Sequence, residues 1–200
     1  MTISLWKMIQ TRLGIPADGI PGTQTARAVA KALDLSPDAI DQRLVKGTGN
    51  SIRRIFVHCT ATREGQDFDA ATIKRWHLQQ GWSDIGYHYV IRLDGTVELG
   101  RPEHIPGSHA KGFHTGSVAL VYVGGLDAQG KPKDTRTGEQ KAAMAALVRQ
   151  LAAAYPQAEV LGHRDISPDT DGDGVVEPHE WLKACPCFDV RSWWQSVKDQ

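Results

Sequence analysis

The stretch GHRDISPDTDGDGVVEPHEWLKACPCFD, residues 162–189, is the segment around which the rest of the chain can be interpreted. It carries His163 and Cys185, two common metal ligands, on either side of an acidic, glycine-rich insert. A third donor is His58, which follows the apolar run at residues 55–57. Two imidazoles and one thiolate suit zinc and leave the fourth corner of a tetrahedron open for water, as catalytic sites do. These residues therefore indicate a zinc site that only the fold can assemble.

Each of these residues also has a structural interpretation. His58 can simply end a buried strand, His163 can pack in the core, and Cys185 can be a small buried hydrophobic residue. Three scattered ligands form a weak motif, so spacing alone leaves both interpretations open.

Composition places limits on the class of protein. The chain has 200 residues, 40% of them hydrophobic, and its 23 acidic and 23 basic residues give a formal net charge of zero. This balance gives no electrostatic indication of a nucleic-acid or membrane partner. No run of 18 apolar residues is present, and the N-terminus lacks a basic segment that leads into a long apolar one. We therefore expect no membrane span and synthesis in the cytoplasm without a signal peptide.

Three cysteines make an odd count. Cys185 and Cys187 flank a proline too closely for an easy bridge between them. We interpret Cys59 and Cys187 as buried thiols.

Residues 1–47 are predicted to form a separate small helical domain with its linker. Apolar residues recur at helical spacing from Leu5 to Leu13, and Gly14 ends the helix. A dense turn signal precedes a second predicted helix at residues 25–33, and the polar, glycine-containing residues 41–51 read as a linker.

Residues 52–200 are predicted to form the main domain, an α/β fold with a mixed central sheet flanked by helices. Apolar runs, caps and turn signals predict strands and helices in alternation. The predicted strands are 53–58, 87–93, 97–100, 118–123 and 158–161, and the predicted helices are 70–80 and 137–154. Asp94-Gly95 predicts the hairpin turn, and Thr137 to Gln140 a helix cap.

Several short sequence motifs in the main domain, taken in order along the chain, resemble those of one known family. They are VHCTAT at 57–62, WH at 76–77, GW at 81–82, GYHY at 86–89, DGTVE at 94–98, GSHAKG at 107–112, VGG at 123–125 and KACP at 183–186. They look like the zinc-dependent N-acetylmuramoyl-L-alanine amidases of the phage T7 lysozyme type, relatives of the peptidoglycan recognition proteins. The resemblance implies zinc on His58, His163 and Cys185, with Tyr87 and Lys183 as catalytic side chains.

The resemblance also implies a function. Such enzymes are peptidoglycan hydrolases, here an endolysin, that cut the amide between the lactyl group of N-acetylmuramic acid and the L-alanine of the stem peptide with zinc-activated water. The expected partner is bacterial peptidoglycan, reached by a monomer after holin-type release. The alternative is a module that binds peptidoglycan fragments without cutting them, as some related recognition proteins do, although those lack the metal cysteine.

Further residues are assigned from their context. His109, in a loop without an apolar pattern, and Thr60, after the ligand strand, are predicted to contact substrate, although Thr60 could instead bond only the backbone. His88 alternates with two tyrosines and is interpreted as structural. The N-terminal pattern LGIPADGIPGTQT at 13–25 resembles a short helical peptidoglycan-binding repeat, and the alternative is a helical hairpin that packs on the main domain.

The acidic insert matches the register of a calcium loop. Its ligand positions would be Asp169, Asp171, Asp173, the Val175 carbonyl and Glu180. No entering helix is predicted, because Ser167-Pro168 stands there. The alternatives are a structural calcium site and an acidic surface loop without an ion.

Overall fold

The computed structural model describes residues 5–17, 28 and 52–199. Contacts between Cα atoms divide the chain into two compact units, Met1–Gly49 and Asn50–Gln200. In the first unit, helix α1 spans Leu5–Arg12 and gives way to a turn in which Gly14 takes a φ of 67°. The first predicted helix is thus confirmed. The predicted helix at 25–33 and the linker at 41–51 lie outside the described residues, except for helical Ala28.

The second unit is built on a five-stranded mixed sheet, which confirms the predicted fold class. Its strands are β1 (Arg54–Cys59), β3 (Tyr89–Ile91), β4 (Val97–Leu99), β5 (Ser117–Tyr122) and β7 (Glu159–Gly162), in the order β4-β3-β5-β1-β7. All neighbours pair in parallel except β3 and β4, which form the antiparallel hairpin. Two short strands, β2 (Thr62–Arg63) and β6 (Gly125–Leu126), pair separately.

The helices of this unit are α2 (Ala70–Gln79), α3 (Gly138–Ala154) and α4 (Val190–Val197), and a 3₁₀ helix spans His163–Ile166. Helix α3 begins at the predicted cap, because the Thr137 side chain accepts from the Gln140 amide and the Gln140 side chain accepts from the Thr137 amide. The side-chain Nε2 of Gln140 also donates to the backbone carbonyls of Ile91 and Val123, and these bonds connect the helix to the sheet.

The core lies around the two central strands. Ile55, Phe56 and Val57 of β1 are fully buried, as are residues 118–122 of β5. Parallel strands covered on both faces require this kind of continuous apolar run. The histidine that ends the β1 run is therefore presented at the sheet edge from a rigid strand.

Strand β3 is shorter by two residues at each end than the predicted strand 87–93. Strand β3 begins at Tyr89, whereas the prediction placed its start at Tyr87. The residues before β3 form a loop that is held by hydrogen bonds to other segments. The Gly86 amide donates to His77 Nδ1, and the Tyr87 carbonyl accepts from the Arg101 amide. Tyr87 therefore projects from a loop at the end of the sheet.

Within the residues that the structure describes, none of the helices has the length and apolar character needed to cross a membrane.

Candidate metal centre and active site

The three predicted zinc ligands meet at one edge of the sheet. One ligand atom from each of His58, His163 and Cys185 lies within 4.8 Å of the others. Strands β1 and β7 are parallel neighbours with Val57 opposite Gly162, so the histidine that follows each position emerges at the same edge. The main-chain amide of Arg164 donates to the Cys185 carbonyl at 2.8 Å, which joins the two ligand segments.

Close packing holds the cysteine segment against this edge. A Cβ added to Gly162 would lie 2.8 Å from Pro186 Cδ, so any larger residue there would push the segment away. The Tyr122 hydroxyl donates to the Pro186 carbonyl at 2.8 Å, and the Cys59 amide points to Cys185 Sγ at 3.3 Å. The thiol is therefore fixed by backbone contacts on both sides.

The donor set fits zinc in spacing as well as in kind. Zn–N and Zn–S bonds of ordinary length put tetrahedral nitrogen and sulfur ligands about 3.6 Å apart. Cys185 Sγ lies 3.7 Å from His58 Nδ1, and the rings of His58 and His163 have centroids 4.8 Å apart. Three protein ligands would leave one coordination position for water or substrate.

Both histidines are held in the neutral form that metal binding requires. Burial, followed by the charges of His109, His163 and Lys183, keeps the pKa of His58 well below its usual value. Burial and the charge of Lys183 lower the pKa of His163 to about 4. At neutral pH both rings therefore offer a lone pair.

Tyr87 and Lys183, predicted to be catalytic, both border the metal cluster. The Tyr87 ring lies 5.4 Å from the His58 ring between centroids, and burial raises the pKa of its hydroxyl, so that it stays protonated. The Lys183 side chain is exposed and lines a cavity of about 650 Å³ together with His163. The remaining lining residues are Trp82, Ser83, Ser108, His109, Ala110, Lys111, Phe113, His114, Ile166, Ser167 and Leu182.

His109, predicted to contact substrate, lies at the cavity wall and is nearly buried. Its side chain is only 8% exposed, and both ring nitrogens already have partners. Nδ1 lies 3.1 Å from His58 Nε2, and Nε2 lies 3.0 Å from Ser117 Oγ. The structure thus places His109 beside His58, with both ring nitrogens bonded within the protein.

Thr60, predicted to contact substrate or to bond only the backbone, bonds both a backbone amide and a neighbouring side chain. Its hydroxyl oxygen accepts from the Gly124 amide at 2.9 Å and lies 2.7 Å from Thr62 Oγ1. These contacts connect the end of β1 to the short β2–β6 pair. His88 is structural as predicted, because it is 1% exposed and its nitrogens bond the Ala119 amide and the Ile105 carbonyl.

The other two cysteines lie next to the cluster but outside it. Cys59 Sγ and Cys187 Sγ are 3.9 Å apart. A hydrogen bond with Cys185 is the main cause that raises the pKa of Cys59 to about 12, and a bond with Cys59 raises that of Cys187. Both therefore remain thiols, which are poor metal ligands.

Ser117, which is connected to the site through a hydrogen bond with His109, was not predicted from the sequence. It is fully buried at the first position of β5, directly behind His109. In the sheet it pairs with Arg54 of β1, and its hydroxyl oxygen lies 3.0 Å from His109 Nε2. No motif in the sequence marks this serine.

The acidic insert folds as a compact loop. One oxygen each from Asp169, Asp171 and Asp173 lies within 4.8 Å of the others. The amides of Gly172 and Gly174 donate to the Asp169 carboxylate, and both glycines have positive φ.

Glu180 forms a second part of the loop. Its carboxylate accepts from the hydroxyl and amide of Thr170 and from the amide of Glu177, and these bonds lower its pKa to about 2. The loop is therefore closed by an ionised glutamate at the predicted last position.

Comparisons with known proteins identify the family of this chain. Residues 48–179 match the family model described as N-acetylmuramoyl-L-alanine amidase. The chain is 41% identical over 140 residues to the endolysin of Enterobacteria phage K11, which covers 70% of this chain and 83% of that protein. It is 40% identical over 141 residues to the endolysin of Escherichia phage T7, which covers 70% of this chain and 84% of that protein.

Solved structures show the same fold. The N-acetylmuramoyl-L-alanine amidase LysC from Clostridium intestinale aligns with a TM-score of 0.57 and 26% identity over 74% of this chain and 86% of that chain. Drosophila PGRP-LB aligns with a TM-score of 0.55 over 74% of this chain and 82% of that chain, and at 21% identity it supports the fold alone. Because the family model spans well over half of the sequence, the chain belongs to the N-acetylmuramoyl-L-alanine amidase family.

Proposed function

We propose that the protein is a peptidoglycan hydrolase of the endolysin type, which cleaves the amide between the lactyl group of N-acetylmuramic acid and the L-alanine of the stem peptide. The observation that carries this proposal is the convergence of His58, His163 and Cys185. Three protein ligands would leave a tetrahedral zinc ion one open position. The cavity that contains His163 and Lys183 gives substrate a path to that position. Family membership supplies the type of bond.

In this proposal His58, His163 and Cys185 hold zinc. When bound, zinc polarises a carbonyl and makes water a stronger nucleophile near neutral pH. The chain contributes neutral imidazoles, a thiolate and a rigid edge built from two parallel strands. Since the ligands are placed by the sheet, little reorganisation is needed when the metal and the substrate bind.

Lys183 and Tyr87 act on the substrate in different ways. The Lys183 ammonium provides positive charge where the amide oxygen becomes negative in the transition state. Tyr87 keeps its proton because burial raises its pKa, so it is suited to donate a hydrogen bond and poorly suited to give its proton away. We therefore assign Tyr87 to orienting the attacking water or the carbonyl.

A digestion experiment tests the reaction. Purified disaccharide-peptide fragments of peptidoglycan are incubated with the protein and the products are identified by mass spectrometry. We expect free stem peptide that begins with L-alanine, together with sugar that keeps its lactyl group. Cleavage between sugars or within the peptide would contradict the proposal, and tight binding without cleavage would favour the non-catalytic binding module.

We also propose a structural calcium ion in the acidic loop. Asp169, Asp171 and Asp173 supply carboxylate oxygens in one cluster, and Gly174 gives the positive φ that the sixth position of such loops requires. Glu180 stands three residues before Lys183. An ion there would fix the segment that carries the catalytic lysine.

Calcium is therefore expected to raise the melting temperature of the zinc-loaded protein without changing its rate. A ligand that binds only the native state adds about 2.7 kcal/mol at a concentration 100 times its Kd. Calorimetric titration and thermal unfolding measure both effects, with an Asp171→Ala, Glu180→Gln double variant as the control. If the parent protein shows no heat of binding and no thermal shift, the loop is an acidic surface loop without an ion.

The N-terminal unit is proposed to attach the enzyme to cell walls. Deletion of residues 1–47 is expected to leave hydrolysis of soluble fragments unchanged and to weaken binding to insoluble peptidoglycan, because separate units share few contacts. Sedimentation with purified walls, beside an assay on soluble fragments, measures both properties. A truncated chain that is insoluble or unfolded would show that the N-terminal unit is part of the catalytic core.

A further inference from the structure

We propose that His109 and Ser117 form a positioning relay that fixes the tautomer of His58, so that its Nδ1 presents a lone pair to the metal. The inference deepens the proposed zinc site and depends on it. It concerns a chain of hydrogen bonds on the side of His58 opposite Cys185. The relay is defined as His58, His109, Ser117 and the carbonyl of Phe113.

The relay is continuous. His58 Nε2 lies 3.1 Å from His109 Nδ1, and His109 Nε2 lies 3.0 Å from Ser117 Oγ. The Ser117 hydroxyl lies 2.7 Å from the Phe113 carbonyl and 3.1 Å from that of His114. Every separation is within hydrogen-bond range.

The direction of these bonds follows from the end of the relay. Backbone carbonyls only accept, so the Ser117 hydroxyl gives its hydrogen to the nearer one, that of Phe113. The serine oxygen then accepts from His109, whose single hydrogen in the neutral ring must therefore be on Nε2. His109 Nδ1 is left as an acceptor and takes the Nε2 hydrogen of His58.

His58 thus has no hydrogen on Nδ1. That atom is the one that lies 3.7 Å from Cys185 Sγ, on the side of the metal cluster. The opposite tautomer would place a hydrogen between the ring and the metal position and would prevent coordination. Metal-binding histidines generally need a partner on the second nitrogen to settle this choice.

The relay is nearly buried and tightly packed, although His109 also borders the cavity. His58 is 1% exposed, His109 8% and Ser117 0%. The Phe56 ring lies 5.4 Å from the His109 ring, and a Cβ added to Gly107 would lie 2.6 Å from His109 Cδ2. The imidazole of His109 is therefore closely packed on the sides that face Phe56 and Gly107.

Variants at His109 distinguish the contribution of its hydrogen bond to His58 from the contribution of its packing. His109→Leu removes the acceptor and is expected to weaken zinc binding about 10- to 100-fold, the range for partners of metal ligands. His109→Asn places an amide oxygen near the former Nδ1 position and is expected to restore most of the affinity. His104→Leu, at an exposed histidine of the same loop, is the matched control and is expected to bind zinc like the parent.

Two measurements carry the test. Competition with a chromophoric chelator gives the zinc affinity of each variant. Long-range ¹⁵N–¹H correlation of the imidazoles in the metal-free parent reads the tautomers directly, and we expect the hydrogen of His58 on Nε2 and that of His109 on Nε2. Ser117→Ala is expected to lower zinc affinity less than His109→Leu does. In this variant we expect both neutral tautomers of His109 to be populated.

A hydrogen on His58 Nδ1 in the parent, or a folded His109→Leu variant with parental zinc affinity, would overturn the relay. The tautomer measurement needs no variant, so it decides the question even if His109→Leu does not fold. A parent protein that shows the expected tautomers and binds zinc but does not cleave peptidoglycan fragments would overturn the proposed function and leave the relay in place.

Discussion

Cys185→Ser is expected to reduce zinc affinity by more than about 100-fold and to lower hydrolysis to the background rate. Loss of a residue that only hydrogen-bonds a metal ligand costs about 10- to 100-fold, and loss of the ligand itself should cost more. Cys185 is one of the three residues whose ligand atoms converge, so its loss leaves two imidazoles. A serine hydroxyl stays protonated near neutral pH, and its oxygen is a harder ligand atom than sulfur. It therefore cannot replace a thiolate on zinc. Metal analysis of the purified variant and a wall-clearing assay measure the two losses.

The matched control is Cys187→Ser. This cysteine lies two residues further along the same segment and bonds the Gly125 carbonyl, outside the ligand cluster. The control is expected to keep one zinc and the parental rate. A Cys185→Ser protein that retains full lysis without bound zinc would show that the cluster is not the reactive centre.

Lys183→Ala is expected to lower kcat by about 10²- to 10³-fold, with little change in zinc content or KM. The charge of Lys183 matters most once the carbonyl oxygen has become negative, so its removal affects the transition state more than the bound substrate. The side chain is exposed in the cavity, and its truncation should not disturb the core. Steady-state kinetics on a soluble peptidoglycan fragment separate the two constants.

Lys183→Arg serves as the control for charge and is expected to recover part of the lost rate. An alanine variant with unchanged kcat and a raised KM would instead make Lys183 a contact to the ground state. A loss of zinc in the alanine variant would point to a role in holding the Cys185 segment.

Local signals were sufficient to predict much of the fold. The apolar run that ends at His58 became the central strand β1, because a buried parallel strand needs such a run. Asp94-Gly95 formed the predicted turn, in which Gly95 has a φ of 79°. Thr137 and Gln140 formed the predicted capping box. Each of these features depends on a few adjacent residues.

The candidate zinc ligands were predicted from residue type together with family resemblance, and the fold explains why they meet. His58 lies near the carboxyl end of β1, and His163 directly follows β7, its parallel neighbour. The sequence alone does not state this relation. The positions of Tyr87 and His109 were harder to predict. Tyr87 lies in a loop bonded to Arg101, and His109 is turned inward by Ser117 on β5. Both depend on contacts between segments that are distant in sequence.

Titration of zinc into metal-free protein, with peptidoglycan-fragment hydrolysis followed by mass spectrometry, tests whether zinc at this cluster drives the cleavage. We expect the rate to rise linearly and to stop rising at one zinc per chain, and the product to be free stem peptide. We expect no such rise for His163→Ala. Full hydrolysis by the metal-free parent, or a parental zinc response in the His163→Ala protein, would contradict this role of zinc.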